Sequence, residues 1–136
     1  VFKPLQWAEL TLQGAYTWQK AIDVTSKNKK NYRHQLPYTP RNNGNVSITI
    51  KTPWITAGYS IVCVGKRYYL AQNLPENEIA SYQDHSLSIQ RDFKLRHGCI
   101  LNLKGDILNL TNKQYDVIKY YPMPGRNWRI AATLTF

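Results

Sequence analysis

The chain has 136 residues and a formal net charge of +10, and 43% of its residues are hydrophobic, with 10 Tyr and 4 Trp. No stretch approaches the roughly 18 to 20 consecutive apolar residues that a membrane-spanning helix needs, which excludes a helical membrane protein. Of the 18 basic residues, six lie in one Asn-rich stretch and the others are scattered, so we expect no nucleic-acid partner but a solvated loop and contacts with anionic lipid. The six are Lys20, Lys27, Lys29, Lys30, Arg33 and Arg41.

Apolar and polar residues alternate with a period of two along most of the chain, which predicts two-faced β-strands. We predict six strands, at approximately 5–20, 43–52, 55–66, 80–93, 97–110 and 126–136. The sequence therefore predicts an all-β fold, an antiparallel meander of about six long strands.

The predicted strands and connections favour a transmembrane β-barrel. Globular strands average about five to six residues, whereas tilted strands that cross a bilayer need about 9 to 11, as several of these have. Long loops near 21–42, 67–79 and 111–125 alternate with tight turns around Pro53 and 94–96, the asymmetry of outer-membrane barrels. A soluble β-sandwich carbohydrate-binding module remains the alternative, because its strands also alternate.

The alternation also predicts which side chains face lipid and which face the lumen. The residues predicted to face lipid are Leu10, Leu12, Tyr16, Val46, Ile48, Ile50, Leu101, Leu103, Ile130 and Leu134. Those predicted to face the lumen are Glu9, Gln13, Thr49, Asn102, Lys104 and Arg129. Cys63 and Cys99 have the lipid-facing parity, and we expect no disulfide between them because a whole strand separates them.

The segment from Asn109 to Phe136 resembles the end of TonB-dependent outer-membrane receptors. In that family the penultimate strand ends in Asn-Leu before a polar stretch and a Tyr, a Pro-Gly-Arg-like segment leads into the last strand, and the chain closes on an aromatic residue. The matching residues are Asn109, Leu110, Tyr115, Pro124, Gly125, Arg126 and Phe136. Residues 65–68 and 82–89 also look like the family.

The resemblance implies that residues 1–136 are the C-terminal portion of a receptor β-barrel in the bacterial outer membrane, 22-stranded in the intact family. The intact protein would import a siderophore, corrinoid or oligosaccharide with energy supplied through TonB. Its partners would be the rest of the barrel and the plug of the same receptor, TonB through the absent N-terminal part, the barrel-assembly machinery and outer-membrane lipid. The plug domain is absent from this chain, whose start at Val1 indicates a processed or cut product.

Ligand contacts are expected in the long loops, at Tyr32, Arg33, His34, Tyr38, Tyr115, Tyr120 and Tyr121. The resemblance implies a C-terminal assembly signal that comprises Trp128, Ile130, Leu134 and Phe136. Counting strands back from a periplasmic terminus puts every long loop outside, with Trp18 and Trp128 at the outer interface and Phe93 and Phe136 at the inner one.

Catalysis is not expected. The three histidines, His34, His85 and His97, lie in separate segments without paired carboxylates at a recognisable spacing. We therefore expect no enzyme activity, no cofactor and no metal site.

Overall fold

The computed structural model describes the backbone of residues 2–5 and 7–136 and the side chains of residues 7–136. The strands are β1 (Phe2–Leu5), β2 (Ala8–Trp18), β3 (Asn42–Lys51), β4 (Thr56–Val64), β5 (Arg67–Tyr68), β6 (Glu78–Ile79), β7 (Tyr82–Lys94), β8 (Ile100–Leu108), β9 (Asp116–Ile118), β10 (Tyr121–Pro122) and β11 (Asn127–Thr135). Single 3-10 turns span Pro75–Asn77 and Arg96–Gly98. Within the described residues, no helix combines the length and the hydropathy that a bilayer crossing requires.

Seven strands form one antiparallel sheet, with the strand order β1-β2-β3-β4-β7-β8-β11. Its long strands are β2, β3, β4, β7, β8 and β11, so the predicted all-β meander of six long strands is confirmed. The remaining short strands pair as two ribbons, β5 with β6 and β9 with β10, and both ribbons lie within the long connections.

The first predicted strand starts too early. Leu5 pairs with Ala8 and Phe2 pairs with Leu10, so the chain reverses between Leu5 and Ala8, and residues 2–5 form a separate short strand. Alternation alone missed this reversal because no Gly or Asn-Gly signal marks it. The predicted strand at 97–110 also starts too early, because His97 and Gly98 adopt left-handed backbone (φ 60 and 79) and form the turn before β8.

The register confirms that the predicted lipid-facing and lumen-facing residues lie on opposite faces of the sheet. On one face, Leu12 pairs with Ile48, which in turn pairs with Tyr59, and Ile130 and Ala132 lie opposite Gly105 and Leu103. We call this the apolar face. The other, the polar face, carries rows of hydroxyl and charged residues such as Ser47, Ser60 and Ser86.

Two strongly polar residues of β7 interrupt the apolar face. His85 pairs with Ile61, and its Nδ1 lies 2.6 Å from the hydroxyl oxygen of Tyr59. Arg91 places its guanidinium carbon 4.9 Å from the centroid of the Phe93 ring, a cation–π contact. Each polar group thus has an aromatic partner on the same face.

An ion-pair cluster lies on the polar face where β8 and β11 pair. The Asp106 carboxylate is buried and accepts hydrogen bonds from Arg129 Nη2 at 2.8 Å and Nε at 3.1 Å. The Lys104 ammonium lies 3.4 Å from the other carboxylate oxygen. Because Arg129 is directly opposite Asp106, the cluster fixes the register of the last strand.

The connections alternate in length as predicted. Tight turns at 52–55 and 95–99 occupy one end of the sheet, and long connections at 19–41, 65–81 and 109–126 occupy the other. At the turn end the Trp7 and Trp54 rings pack with centroids 5.7 Å apart. Both cysteines are free thiols, in agreement with the prediction of no disulfide.

Candidate ligand-binding site

The three long connections, 19–41, 65–81 and 109–126, pack against one another at one end of the sheet. We call them the loop cap. Its interior is polar, because the buried residues Gln35, Arg67, Asn77 and Asn109 all lie in these connections. Among the described side chains, Ile79 is the one hydrophobic residue that is buried, and it also lies in the loop cap.

The first and second connections are joined by reciprocal hydrogen bonds between Gln35 and Asn73. The Gln35 backbone N–H donates to Asn73 Oδ1 at 2.5 Å, and Asn73 Nδ2 donates to the Gln35 carbonyl at 3.0 Å. The Tyr38 N–H adds a bond of 2.8 Å to the Tyr68 carbonyl. These contacts satisfy buried backbone groups that have no strand partner.

Arg67 joins the second connection to the third. Its Nη2 donates to the backbone carbonyls of Asp116 and Val117 at 2.7 and 2.9 Å, and the guanidinium carbon lies 5.5 Å from the centre of the Tyr82 ring. The Tyr69 and Tyr120 rings meet edge to face at 6.0 Å between the same two connections. Hydrogen bonding to Tyr120 raises the pKa of the Tyr69 phenol above its usual value.

The third connection folds back over the polar face of the sheet. The Tyr115 ring stacks on Tyr82 with centroids 4.1 Å apart and planes 10° apart, and the Tyr115 hydroxyl donates to the Asp84 carboxylate. Burial, with the nearby carboxylate as a second cause, raises the pKa of the Tyr115 phenol well above its usual range. Tyr82 and Asp84 have the parity of the polar face, where they pair with Val64 and Val62.

A cavity of about 510 Å³ opens between the three connections above this aromatic stack. Apolar and aromatic side chains surround the Arg67 guanidinium in it, and the lining residues are Tyr38, Pro40, Val64, Arg67, Tyr82, Val117 and Ile118. Its volume is within the roughly 300–1,000 Å³ of small-molecule sites, and such sites are mostly apolar with few polar groups. The cavity is open to solvent, and the arrangement can accommodate a small ligand.

Three of the predicted ligand-contacting residues hold a left-handed backbone. The φ angles are 64° at Arg33, 57° at Tyr38 and 68° at Tyr120. Non-glycine residues in this region cost about 1 kcal/mol or more each, and they persist where surrounding contacts over-determine the conformation. Contacts within the loop cap thus hold the backbone at these three residues in a conformation that their local preference disfavours.

The structure brings only some of the predicted residues to the cavity. Tyr38 lines it, and Tyr115 supports it through Tyr82. Tyr120 is exposed beside Tyr69, and Tyr121 is exposed in the β9–β10 ribbon. The first connection contains the other three residues, Tyr32, Arg33 and His34, which do not line the cavity.

Sequence reasoning missed Arg67 and Tyr82 as site residues. Arg67 lies in the segment that resembles the receptor family, but neither charge nor periodicity distinguishes it from the other basic residues. Tyr82 is the first residue of β7, and the sequence does not distinguish it from other aromatic residues at strand ends. The available signal was the parity of Tyr82, which places its ring on the polar face of the sheet rather than on the apolar face.

The residues of the predicted assembly signal are all exposed. Trp128, Ile130 and Leu134 follow one another on the apolar face of β11, and Phe136 is 99% exposed at the terminus. Across the described side chains, no group of three or more His, Cys, Asp or Glu residues could hold a metal ion.

No protein-family model matches the chain, and no curated protein matches it significantly. Among solved structures, the chain is similar to the crystal structure of BauA, the ferric preacinetobactin receptor from Acinetobacter baumannii. The TM-score is 0.81 at 19% sequence identity, and the match covers 96% of this chain and 20% of that chain. The chain therefore spans about a fifth of the length of that receptor and shares the fold of the corresponding segment.

Proposed function

We propose that the chain is part of a TonB-dependent receptor in a bacterial outer membrane, in which the apolar face contacts lipid and the loop cap is extracellular. One observation carries the proposal: large apolar side chains are exposed along an entire face of a sheet built from six long strands. Ile130, for example, is 72% exposed in the middle of β11. A soluble monomer rarely leaves a contiguous apolar patch of this extent uncovered.

The arrangement of the connections supports the orientation. In outer-membrane barrels the long loops are extracellular and the short turns periplasmic. All three long connections share one end of this sheet, and the tight turns share the other. Trp18 and Trp128 lie toward the loop end and Phe93 toward the turn end, as expected for the two aromatic belts of a barrel.

A nutrient receptor is favoured over a passive pore by the loop cap and by the fold shared with a siderophore receptor. The substrate would enter on the polar side of the sheet, beneath the cavity that contains Arg67. The partners we propose are the remaining strands and plug of the same receptor, TonB, the assembly machinery and lipid. We propose no catalytic role for this segment.

The alternative, a soluble β-sandwich carbohydrate-binding module, requires a second sheet over the apolar face. Within the described part of the chain, the other two sheets are two-stranded ribbons in the loop cap. This observation favours the receptor.

The proposal is tested with the full-length gene product in its native membrane. We expect it in the outer-membrane fraction, with a gel mobility that shifts on heating and with whole-cell nutrient uptake that is lost when TonB is deleted. Recovery as a soluble monomer without detergent would contradict the membrane assignment. Uptake that is unchanged without TonB would contradict the energy source.

A further inference from the structure

The Arg67 guanidinium is buried without a counter-ion. Arg67 is 3% exposed, and among the described side chains no carboxylate lies within ion-pair distance of it. Its Nη2 is bonded to neutral backbone carbonyls, and its Nη1 has no hydrogen-bond partner. A buried charge with only neutral partners is unfavourable, because the local dielectric is low and no opposite charge offsets the lost hydration.

Three acidic residues of this region do not pair with Arg67. One oxygen of the Asp84 carboxylate accepts the Tyr115 hydroxyl, and the other, Oδ1, is buried without a hydrogen-bond partner but forms no ion pair with Arg67. The Asp116 carboxylate accepts the Tyr120 N–H at 3.1 Å, and Glu78 pairs with Lys66 at 3.2 Å. Among the described side chains, none of these three carboxylates forms an ion pair with Arg67.

The surroundings of Arg67 restrict what could supply the missing anion. The cavity that it lines has a volume of about 510 Å³, and its other walls are aromatic or aliphatic. The Tyr82 ring lies beneath the guanidinium, and Val64, Val117 and Ile118 add apolar surface. A flat apolar ligand fits such walls, and a single carboxylate can supply the opposite charge and accept a charge-assisted hydrogen bond from Nη1.

We propose that this cavity binds the carboxylate of a flat, apolar ligand, with Arg67 as its counter-ion. Nη1 is closed off from solvent in this structure, so a side chain of the cavity wall moves before the carboxylate accepts from it. The body of the ligand then packs between Tyr82 and the side chains of Val117 and Ile118. The statement that this carboxylate belongs to the imported nutrient rests on the proposed function. Carboxylate binding itself can be measured without any transport.

The test measures benzoate binding to the full-length receptor in detergent by isothermal titration calorimetry, with neutral benzamide as the matched probe. We expect benzoate to bind about 10- to 100-fold more tightly than benzamide, because a hydrogen bond to a charged group has about that effect on affinity. Arg67→Gln removes the charge, and it should abolish this preference.

A second variant tests the cavity independently of the fold around Arg67. Ile118 is 54% exposed and lines the cavity, so Ile118→Asp should insert normally, add a negative charge to the cavity and repel benzoate. Ile118→Asn removes the same apolar contact without the charge, so it should weaken both probes alike and keep the preference for benzoate. Lys30→Gln, in the exposed part of the first connection, controls for general attraction of anions and should leave benzoate affinity unchanged.

Three results would each overturn the proposal. They are equal affinities for benzoate and benzamide, benzoate affinity unchanged by Ile118→Asp, and no benzoate binding at millimolar concentration. Loss of binding in Lys30→Gln but not in Arg67→Gln would also overturn it, because the anion would then bind at the basic loop. Selective benzoate binding by a protein that imports nothing would leave this inference intact while refuting the proposed function.

Discussion

The Tyr115 hydroxyl donates a hydrogen bond to the Asp84 carboxylate, and this contact fixes the last long connection over the polar face of the sheet. Tyr115 lies beyond the end of β8, whereas Asp84 lies within β7. The stacking of Tyr115 on Tyr82 adds an apolar contact to the same joint. One side chain thus connects a loop to the strand that lies under the candidate cavity.

Tyr115→Phe should loosen the loop cap without changing the strands. The substitution keeps the ring that stacks on Tyr82 but leaves the part-buried Asp84 carboxylate without its donor, at a cost of about 1 to 3 kcal/mol. Limited proteolysis of the folded full-length protein should show faster cleavage within 109–126. The exposed Tyr121→Phe is the control, and equal cleavage rates in the two variants would contradict the role given to Tyr115.

The same contact predicts a pH dependence. Burial and the Asp84 carboxylate both disfavour the tyrosinate, so the pKa of Tyr115 is raised in the folded state. Its contribution to stability is therefore complete below the unfolded-state value of about 10 and is lost as the pH rises through the folded-state pKa.

Spectrophotometric titration of phenol ionisation, taken as wild type minus Tyr115→Phe, measures this directly. We expect the difference to show no ionisation of Tyr115 at pH values where exposed tyrosines have already titrated. A difference curve centred near pH 10, as for an ordinary tyrosine, would show that Tyr115 is not held in this environment.

The two faces of β3 predict opposite outcomes for the same substitution. Ile48→Lys places an ammonium in the middle of the apolar face and should cost about 2 to 4 kcal/mol in a bilayer. Thr49→Lys puts the same group on the polar face opposite Gly58 and should be nearly neutral. Folding equilibria in lipid vesicles compare the pair, and equal destabilisation would argue against a lipid-facing apolar side.

The proposed assembly signal predicts a separation of assembly from binding. Phe136→Ala removes an exposed aromatic ring of that signal but no part of the loop cap, so surface levels should fall while the protein that does assemble keeps its ligand affinity. Phe136→Tyr should behave like the wild type because it keeps an aromatic ring. Heat-modifiable gel mobility and ligand binding on whole cells measure the two effects, and normal surface levels with lost binding would refute the assigned role.

The strands could be predicted from the sequence because a strand with one polar and one apolar face alternates polar and apolar residues with a period of two. The facing of Ile48 against Thr49, or of Leu103 against Lys104, followed from parity alone and agrees with the register. The reversal after Leu5 was not predicted, since no Gly or Asn-Gly signal marks it. His85 and Arg91 also broke the pattern because aromatic neighbours on the same face accommodate them.

The position of the loop cap could be predicted from the sequence, but the contacts between its three connections could not. Its tyrosines indicated where contacts concentrate, and Tyr38 does line the cavity. The contacts that build the site join residues far apart in sequence, such as Gln35 with Asn73 and Arg67 with Asp116, and such polar pairs leave no periodic signal. The assignment of ligand contacts stays a prediction for all seven residues, which are Tyr32, Arg33, His34, Tyr38, Tyr115, Tyr120 and Tyr121.

The orientation of the loop cap is the most direct test of the account. In the full-length protein with Cys63→Ser and Cys99→Ser, we introduce Lys30→Cys in a long connection or Arg96→Cys in a tight turn, both at exposed positions. A membrane-impermeant maleimide should label the first variant on intact cells and the second only after the outer membrane is permeabilised. Labelling of the Arg96→Cys protein on intact cells, with the Lys30→Cys protein unlabelled, would contradict an outer-membrane receptor with this face outside.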